Sequence, residues 1–302
     1  LLRIEGTRSY WRGTDLEIEI ATDAPIMDGS DGEITLPARK LADICKSLPT
    51  ESIINLEIQA DKRARVYSGR SRFELATLPA SEFPDLEDIG DVATLELPEN
   101  ELKRLLDQAA FAMANQDVRY YLNGLLLEIS PEGVRSVATD GHRLALCFYP
   151  QPMVAVSLTR QLIIPRKGVQ ELARLLRSDC YTPVQIQASQ NHLRVQLDNL
   201  RFTTKLIDGR YPDYRAAVPQ GGQIQVELDR KAFKEILGRV AILSNEKFRG
   251  VRLTLNQNIL QVQAHNPEQE IATDELDIHY SGHEFSIGFN VNYLLDAVNH
   301  LQ

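Results

Sequence analysis

The sequence predicts an α+β protein in which one domain is used three times, and three observations carry that prediction. An apolar hairpin recurs as LLRIEGTRSYWRGTDLEIEI from Leu1, LLLEISPEGVRSVATDGHRLAL from Leu125 and VRLTLNQNILQVQAHNPEQEIA from Val251. An amphipathic helical segment follows each hairpin: LPARKLADICKSL from Leu36, IPRKGVQELARLL from Ile164 and FNVNYLLDAVNHL from Phe289. Two further elements each occur twice in the same order, YSGRSRFELATLPASEFPDL from Tyr67 with LDNLRFTTKLIDGRYPDY from Leu197, and LKRLLDQAAFAMANQ from Leu102 with FKEILGRVAILSNEK from Phe233. The common spacing, about 125 residues, is that of a domain and far exceeds the roughly 20–50 residues of a solenoid unit.

Each element has a local reason. LLLEI, RSVAT, QIQAS, LRVQL and RFTTKL alternate or run apolar over four to six residues, the pattern of short strands. Leu102, Leu105, Leu106, Ala109 and Met113 share one helical face, as do Phe233, Ile236, Leu237 and Val240, and Val169, Leu172, Leu175 and Leu176. Pro165 stands at the start of its helix, where a missing N–H costs little. The helices are expected over 38–49, 99–117, 165–178, 229–247 and 289–302, two per complete unit, laid on antiparallel sheets. Turn-rich stretches at Pro84–Val92 and Pro219–Gln223 divide the chain into 1–91, 92–220 and 221–302. The middle unit holds every element and the outer two do not, so the sequence is expected to be a piece cut at both ends.

Composition excludes several classes. At 302 residues and 43% hydrophobic, the chain can bury two or three cores. It has no apolar run of membrane-spanning length. Cys45, Cys147 and Cys180 form no paired-cysteine motif and read as reduced, buried thiols of a cytoplasmic protein. The net charge of −9 argues against a nucleic-acid binder on average. Distribution reverses that: the five expected helices sum to +4, leaving −13 elsewhere. Repeated basic helices suit one common polyanion.

No catalytic centre is legible. Asp140 and His142, in Thr139-Asp-Gly-His-Arg-Leu144, could serve acid–base work, which would make the protein a hydrolase, but the other copies carry Asp15 and Asn266 with no histidine. The remaining histidines make no zinc spacing. A calcium loop from Asp28 fails at its twelfth position, Arg39, where a bidentate glutamate is needed. No metal and no cofactor is expected.

Val137-Ala-Thr-Asp-Gly-His-Arg-Leu144, Ile164-Pro-Arg-Lys-Gly168, Asp208-Gly-Arg-Tyr-Pro-Asp-Tyr-Arg215, Leu243-Ser-Asn-Glu-Lys-Phe-Arg-Gly-Val-Arg252 and Phe289-Asn-Val-Asn-Tyr293 closely resemble the bacterial DNA polymerase III beta subunit family, the replication sliding clamps. The resemblance covers essentially the whole chain. It implies a non-enzymatic processivity factor, a head-to-tail homodimer of three-domain subunits closed around duplex DNA. It implies DNA contact at Arg39, Gln116, Tyr120 and Tyr121. It implies a pocket between the second and third domains that takes short linear peptides of the replicative polymerase, the clamp loader and repair proteins, at Leu122, Thr139, Gly141, His142, Arg143, Leu144, Pro212, Phe248, Asn290 and Tyr293. Ala216-Ala217 depart from the Arg-Val of well-known members, which would widen that pocket or remove a contact. For the dimer contact, Ser68–Leu75 reads as a strand with Arg70 and Arg72 on one face and Phe73 and Leu75 on the other. Glu268, Glu270 and Asp274 read as one acidic strand face, with Ile242 and Leu243 as the apolar partner. The resemblance places the family's subunit interface on the same segments. The competing reading, a peptide-binding adaptor that never encircles DNA, shares all of these motifs.

Overall fold

The computed structural model describes residues 1–59, 63–84, 93–152, 159–222 and 224–301. The first unit runs β1 (Leu2–Glu5), β2 (Arg8–Thr14), β3 (Ile18–Pro25), β4 (Gly32–Ile34), α1 (Ala38–Ser47), β5 (Asn55–Gln59), β6 (Arg63–Ser68) and β7 (Ser71–Ala76). The second runs β8 (Ala93–Pro98), α2 (Glu99–Ala110), β9 (Gly124–Ser130), β10 (Gly133–Thr139), β11 (Leu144–Pro150), β12 (Arg160–Pro165), α3 (Arg166–Leu175), β13 (Pro183–Ala188), β14 (His192–Leu197) and β15 (Leu200–Lys205). The third runs α4 (Arg230–Val240), β16 (Gly250–Asn256), β17 (Ile259–His265), β18 (Ile271–Asp277), β19 (Phe285–Asn290) and α5 (Val291–His300). The boundary expected between residues 91 and 92, like Gln223 at the second boundary, lies outside the described residues.

The repeat is visible in the sheets. The second unit's β11-β10-β9-β12 and the third unit's β18-β17-β16-β19 are the same sheet, and β3-β2-β1-β4 is its counterpart in the first. Two-residue turns after Glu5, Ser130 and Asn256 fix the registers, so Arg8, Gly133 and Ile259 are equivalent. The apolar faces foreseen for α2 and α4 are the faces that pack. Leu102, Leu105, Leu106 and Ala109 join Leu125, Leu127 and Phe202 in one buried core, and Phe233, Ile236, Leu237 and Val240 join Leu253 and Val262 in another.

One feature crosses units. β15 of the second unit pairs antiparallel with β3 of the first, Phe202 opposite Ile20, so two sheets fuse into one of eight strands, β4-β1-β2-β3-β15-β14-β13-β8. By hairpin register β7 is the first unit's equivalent of β15, with Arg72-Phe73 matching Arg201-Phe202. β18 is the third unit's equivalent of β3.

Several expectations are corrected. α2 ends at Ala110 and α4 at Val240, followed by a short 3-10 turn over Ala241–Leu243. Phe289 and Asn290 belong to β19, and α5 starts at Val291 because Asn290 caps it, accepting from the Asn292 N–H at 2.9 Å. Arg70 lies in the β6–β7 turn beside Gly69, whose φ is +56°, and not in a strand. Glu268 and Glu270 lie in the turn before β18. Glu270 is tied there by the side chain of Asn266, so only Asp274 is on the strand. Cys45 is exposed; of the three free thiols only Cys147 is buried.

Candidate functional site

Asp140–Arg143 form the tight turn from β10 to β11 instead of continuing a strand. The Asp140 carboxylate accepts the N–H groups of His142 (2.9 Å) and Arg143 (3.1 Å), and the Thr139 hydroxyl accepts from Gly141 (3.1 Å) while donating to the Arg143 carbonyl (2.6 Å). Asp140 is consumed in holding the turn, so no acid–base pair forms with His142. Gly141 has φ +87°, and a β-carbon there would meet the Arg119 guanidinium at 3.0 Å.

This turn aims its side chains at the third unit. The His142 ring stacks with Tyr293 of α5 at 6.0 Å. The Arg143 guanidinium lies 4.8 Å from the Tyr293 ring centre and 5.5 Å from that of Phe111, and donates to the Phe111 carbonyl (2.9 Å), Asp140 (3.1 Å) and Asp296. Phe111 in turn stacks on His300 at 4.2 Å. Asn290 donates to the Phe248 carbonyl at 3.2 Å. On the other side Leu122 and Leu144 pack with Tyr211, whose hydroxyl accepts the Thr139 N–H at 3.1 Å, and Pro212 follows exposed on the surface. Contacts thus cross the boundary between the second and third units from His142 and Arg143 to Tyr293, while Phe248 and Asn290 are joined to each other and Pro212 adjoins Tyr211. Burial pushes the Tyr211 hydroxyl up to about 12, keeping it neutral.

Sequence reasoning missed the strap that frames this region. Residues 206–217 leave β15 and cross the outer face of the second sheet, where Ile207, Tyr211 and Tyr214 cover Leu122, Leu126, Val137 and Ile163. The strap is anchored on Glu128, whose side chain is 1% exposed and accepts from Tyr214 (2.9 Å), Arg215 (2.7 Å), Arg135 (2.8 Å) and Gln161 (3.0 Å). Burial alone would raise the Glu128 pKa; hydrogen bonds from Gln161 and Tyr214 and the Arg215 charge outweigh it and hold the group below its usual value. A lone glutamate inside an apolar strand, LLLEIS, was the available signal.

The other candidates are dispersed. Gln116 has φ +58° and is exposed in the loop after α2. Tyr120 and Tyr121 sit in a 3-10 turn, edge-to-face at 5.6 Å; Tyr120 is 56% exposed, while Tyr121 packs on the strap cluster. The Arg119 guanidinium beside them is occupied by Asp117, at 3.0 and 2.8 Å, and that bond holds the Asp117 carboxyl at about 2. Arg39 stands exposed on α1. The five helices as observed carry 12 basic and 7 acidic residues, so their positive bias survives the corrected ends. At the edges that are unpaired among the described residues, Leu75 is buried, Phe73 half-buried and Ile242 78% exposed, and Asp274 accepts from Arg239 at 2.7 Å.

Three family models match in succession: the N-terminal domain of the DNA polymerase III beta subunit over residues 1–87, its central domain over 96–213 and its C-terminal domain over 215–302. The chain belongs to the DNA polymerase III beta subunit family. It is 48% identical to the beta sliding clamp of Pseudomonas putida over 99% of this chain and 81% of that protein, and 47% identical to that of Escherichia coli K12 over 99% and 80%. Among solved structures, the DNA polymerase III subunit beta of Pseudomonas aeruginosa superposes with a TM-score of 0.93 at 47% identity, over 99% of this chain and 81% of that one. The three units are therefore clamp domains, and the role is that of a replication sliding clamp, a processivity scaffold and not an enzyme. Among the described residues, no helix is long and apolar enough to cross a membrane.

Proposed function

We propose that the chain closes a ring with a second copy of itself around duplex DNA in the cytoplasm, and that its three domains span 1–91, 92–220 and 221–302. One observation supports the ring above all: the β3–β15 pairing is a domain-to-domain joint already made inside the chain. Its two halves recur unpaired, since among the described residues β18 pairs only with β17 and β7 only with β6. Applying the β3–β15 register to them sets Phe73 opposite the partner subunit's Ala272, as Phe202 lies opposite Ile20. The charge sense agrees too. Arg201 of β15 reaches Glu19 of β3 at 3.9 Å, and Arg70 and Arg72 stand at one edge with Glu268, Glu270 and Asp274 near the other. Two such heterologous contacts close a two-subunit ring. Ile242 and Leu243 supply apolar area beside β18, and on β7 Leu75 is buried and Phe73 half-buried.

Arg39, Gln116, Tyr120 and Tyr121 then face the encircled duplex, held by diffuse attraction to phosphate that carries no sequence information and permits sliding. The cleft bounded by Leu122, Thr139, Gly141, His142, Arg143, Leu144, Pro212, Phe248, Asn290 and Tyr293 receives extended peptides of polymerase, clamp loader and repair proteins, its apolar floor taking aliphatic anchors. Loaded clamp should remain on closed circular DNA and leave after linearisation; equal retention on both would refute the ring. Light scattering against dilution tests the contact: Ile242→Ala with Leu243→Ala should shift the protein to monomer, and a variant that stays fully dimeric would refute this edge assignment.

A further inference from the structure

Of the three domains, the second alone places a carboxylate at the Glu128 position of its hairpin. Registers put Arg3 of β1 and Thr254 of β16 there in the first and third domains, so the clamp sheet does not need this group for itself. A buried carboxylate is destabilising unless donors converge on it, and two of the four donors, Tyr214 and Arg215, come from the strap. Arg135 from the sheet also reaches the Tyr214 hydroxyl, at 3.2 Å, so carboxylate, phenol and guanidinium close a triangle. The strap begins where the N–H groups of Leu206 and Ile207 donate to the carbonyls of Asn191 and Ile163, both at 2.8 Å, and it is pinned again at Glu128. Among the described residues, 206–213 join no strand. This span carries Gly209, where a β-carbon would meet the Tyr120 hydroxyl at 3.3 Å, then Tyr211, which takes the Thr139 N–H, and Pro212. Apolar packing of Ile207, Tyr211 and Tyr214 holds the strap on the face without choosing its position along it, because that attraction is non-directional. Directional bonds to one charged group do choose it.

We propose that Glu128 is a positioning residue for the peptide cleft: as an ionised anchor it selects the one seating of the strap in which Tyr211 and Pro212 form the cleft wall, and so sets the affinity for an extended peptide. Glu128 touches no peptide itself, since its side chain is 1% exposed beneath the strap. It acts through Tyr211-Pro-Asp-Tyr214, in which the wall residues directly precede the anchored tyrosine. Beyond Arg215 the chain runs on to the third domain, so the same anchor separates the cleft wall from the linker. Without the charge the strap takes other seatings, and affinity falls in proportion to the fraction still seated correctly. The role rests on the peptide-pocket reading above.

The test reads binding by fluorescence anisotropy, with a labelled extended peptide carrying two leucine anchors, and reads the strap by hydrogen exchange over 206–217. Glu128→Gln keeps the side chain's shape and removes its charge. It should weaken the peptide about tenfold and raise strap exchange in the free protein. Saturating peptide should restore strap protection in that variant, because coupling between strap and peptide is reciprocal. Glu128→Asp, which keeps the charge, should recover part of the affinity. Arg215→Met changes an exposed side chain and should weaken the peptide about threefold; it decides the question if Glu128→Gln does not fold. A purely structural role would lower the unfolding midpoint and leave the affinity of the folded protein unmoved. Unchanged affinity in the folded variants, or a loss of affinity with strap exchange unchanged, overturns the positioning role. Tyr293→Ala separates the two readings. A peptide lost on Tyr293→Ala and indifferent to Glu128→Gln and Arg215→Met overturns the positioning role alone. A peptide that fails to bind, or that ignores Tyr293→Ala, overturns the pocket and the positioning role with it.

Discussion

Between the first and second domains, five residue pairs of β3 and β15 are zipped into a common sheet, with Phe202 fully buried beneath them. Between the second and third, the described contacts are side chains: Arg143 on Asp296 and Tyr293, Phe111 on His300, and His142 on Tyr293. Both joints fix domain positions, but they distribute their energy differently. A strand pair spreads it over backbone hydrogen bonds that no single substitution removes, whereas the second joint routes much of it through the Arg143 guanidinium. Local opening should therefore concentrate at the second joint.

The largest effect should come from Phe202→Ala, which empties a buried site at the strand joint and should cost about 3–5 kcal/mol in denaturant unfolding. Its equivalent on the open edge sharpens the comparison. Phe73 is half-buried, so Phe73→Ala should cost the monomer about 1–2 kcal/mol while weakening self-association in light scattering. Equal losses of monomer stability at the two positions would contradict the equivalence of β7 and β15. Arg143→Ala should come next, at about 1–2 kcal/mol, since Asp296 is partly solvated. Hydrogen exchange should rise in α5 and stay unchanged in β15; uniform change in both would show that the two joints are not independent.

Lys167→Ala should have the smallest effect, because its ion pair with Asp15 across the first joint is exposed on both sides and screened by solvent. Desolvation pushes the Asp15 pKa up, but Lys167 and the N–H groups of Ile18 and Glu17 prevail and hold it below the ordinary carboxylate value. A depressed folded pKa means the contribution is present above the ordinary value and lost as pH falls through the folded one. The stability difference between Lys167→Ala and the unmodified protein should thus be seen at neutral pH and vanish in acid; a difference that grows in acid would refute the pairing.

Much of the second domain was legible because its signals are local. The periodicity of Leu102, Leu105, Leu106 and Ala109 names the buried face of α2, and alternation names β9, β10, β13 and β14. The turn residues were misread for a physical reason. Glu268 and Glu270 alternate like a strand, but Asn266 captures both the Glu270 N–H and its carboxylate, and Gln269 takes φ +66°. Among the pocket candidates, His142 and Tyr293 were named separately, yet nothing in their sequence positions says that their rings stack. The partners of Arg143, Phe111 and Asp296, went unnamed because those contacts span 32 and 153 residues.

The sequence by itself determined the α+β class, the helix faces and the positive bias of the helices, since each depends on side chains within a few turns of one another, and it determined the repeat because the same local patterns return in the same order. Tertiary structure alone decided which edges fuse and which stay open, because β3, β15, β7 and β18 carry similar strand patterns and only the assembled domains bring the first two within hydrogen-bonding distance. It also decided that Glu128 is an anchor and not a liability. A buried carboxylate is costly until donors converge on it, and here Arg135, Gln161, Tyr214 and Arg215 arrive from three places in the chain.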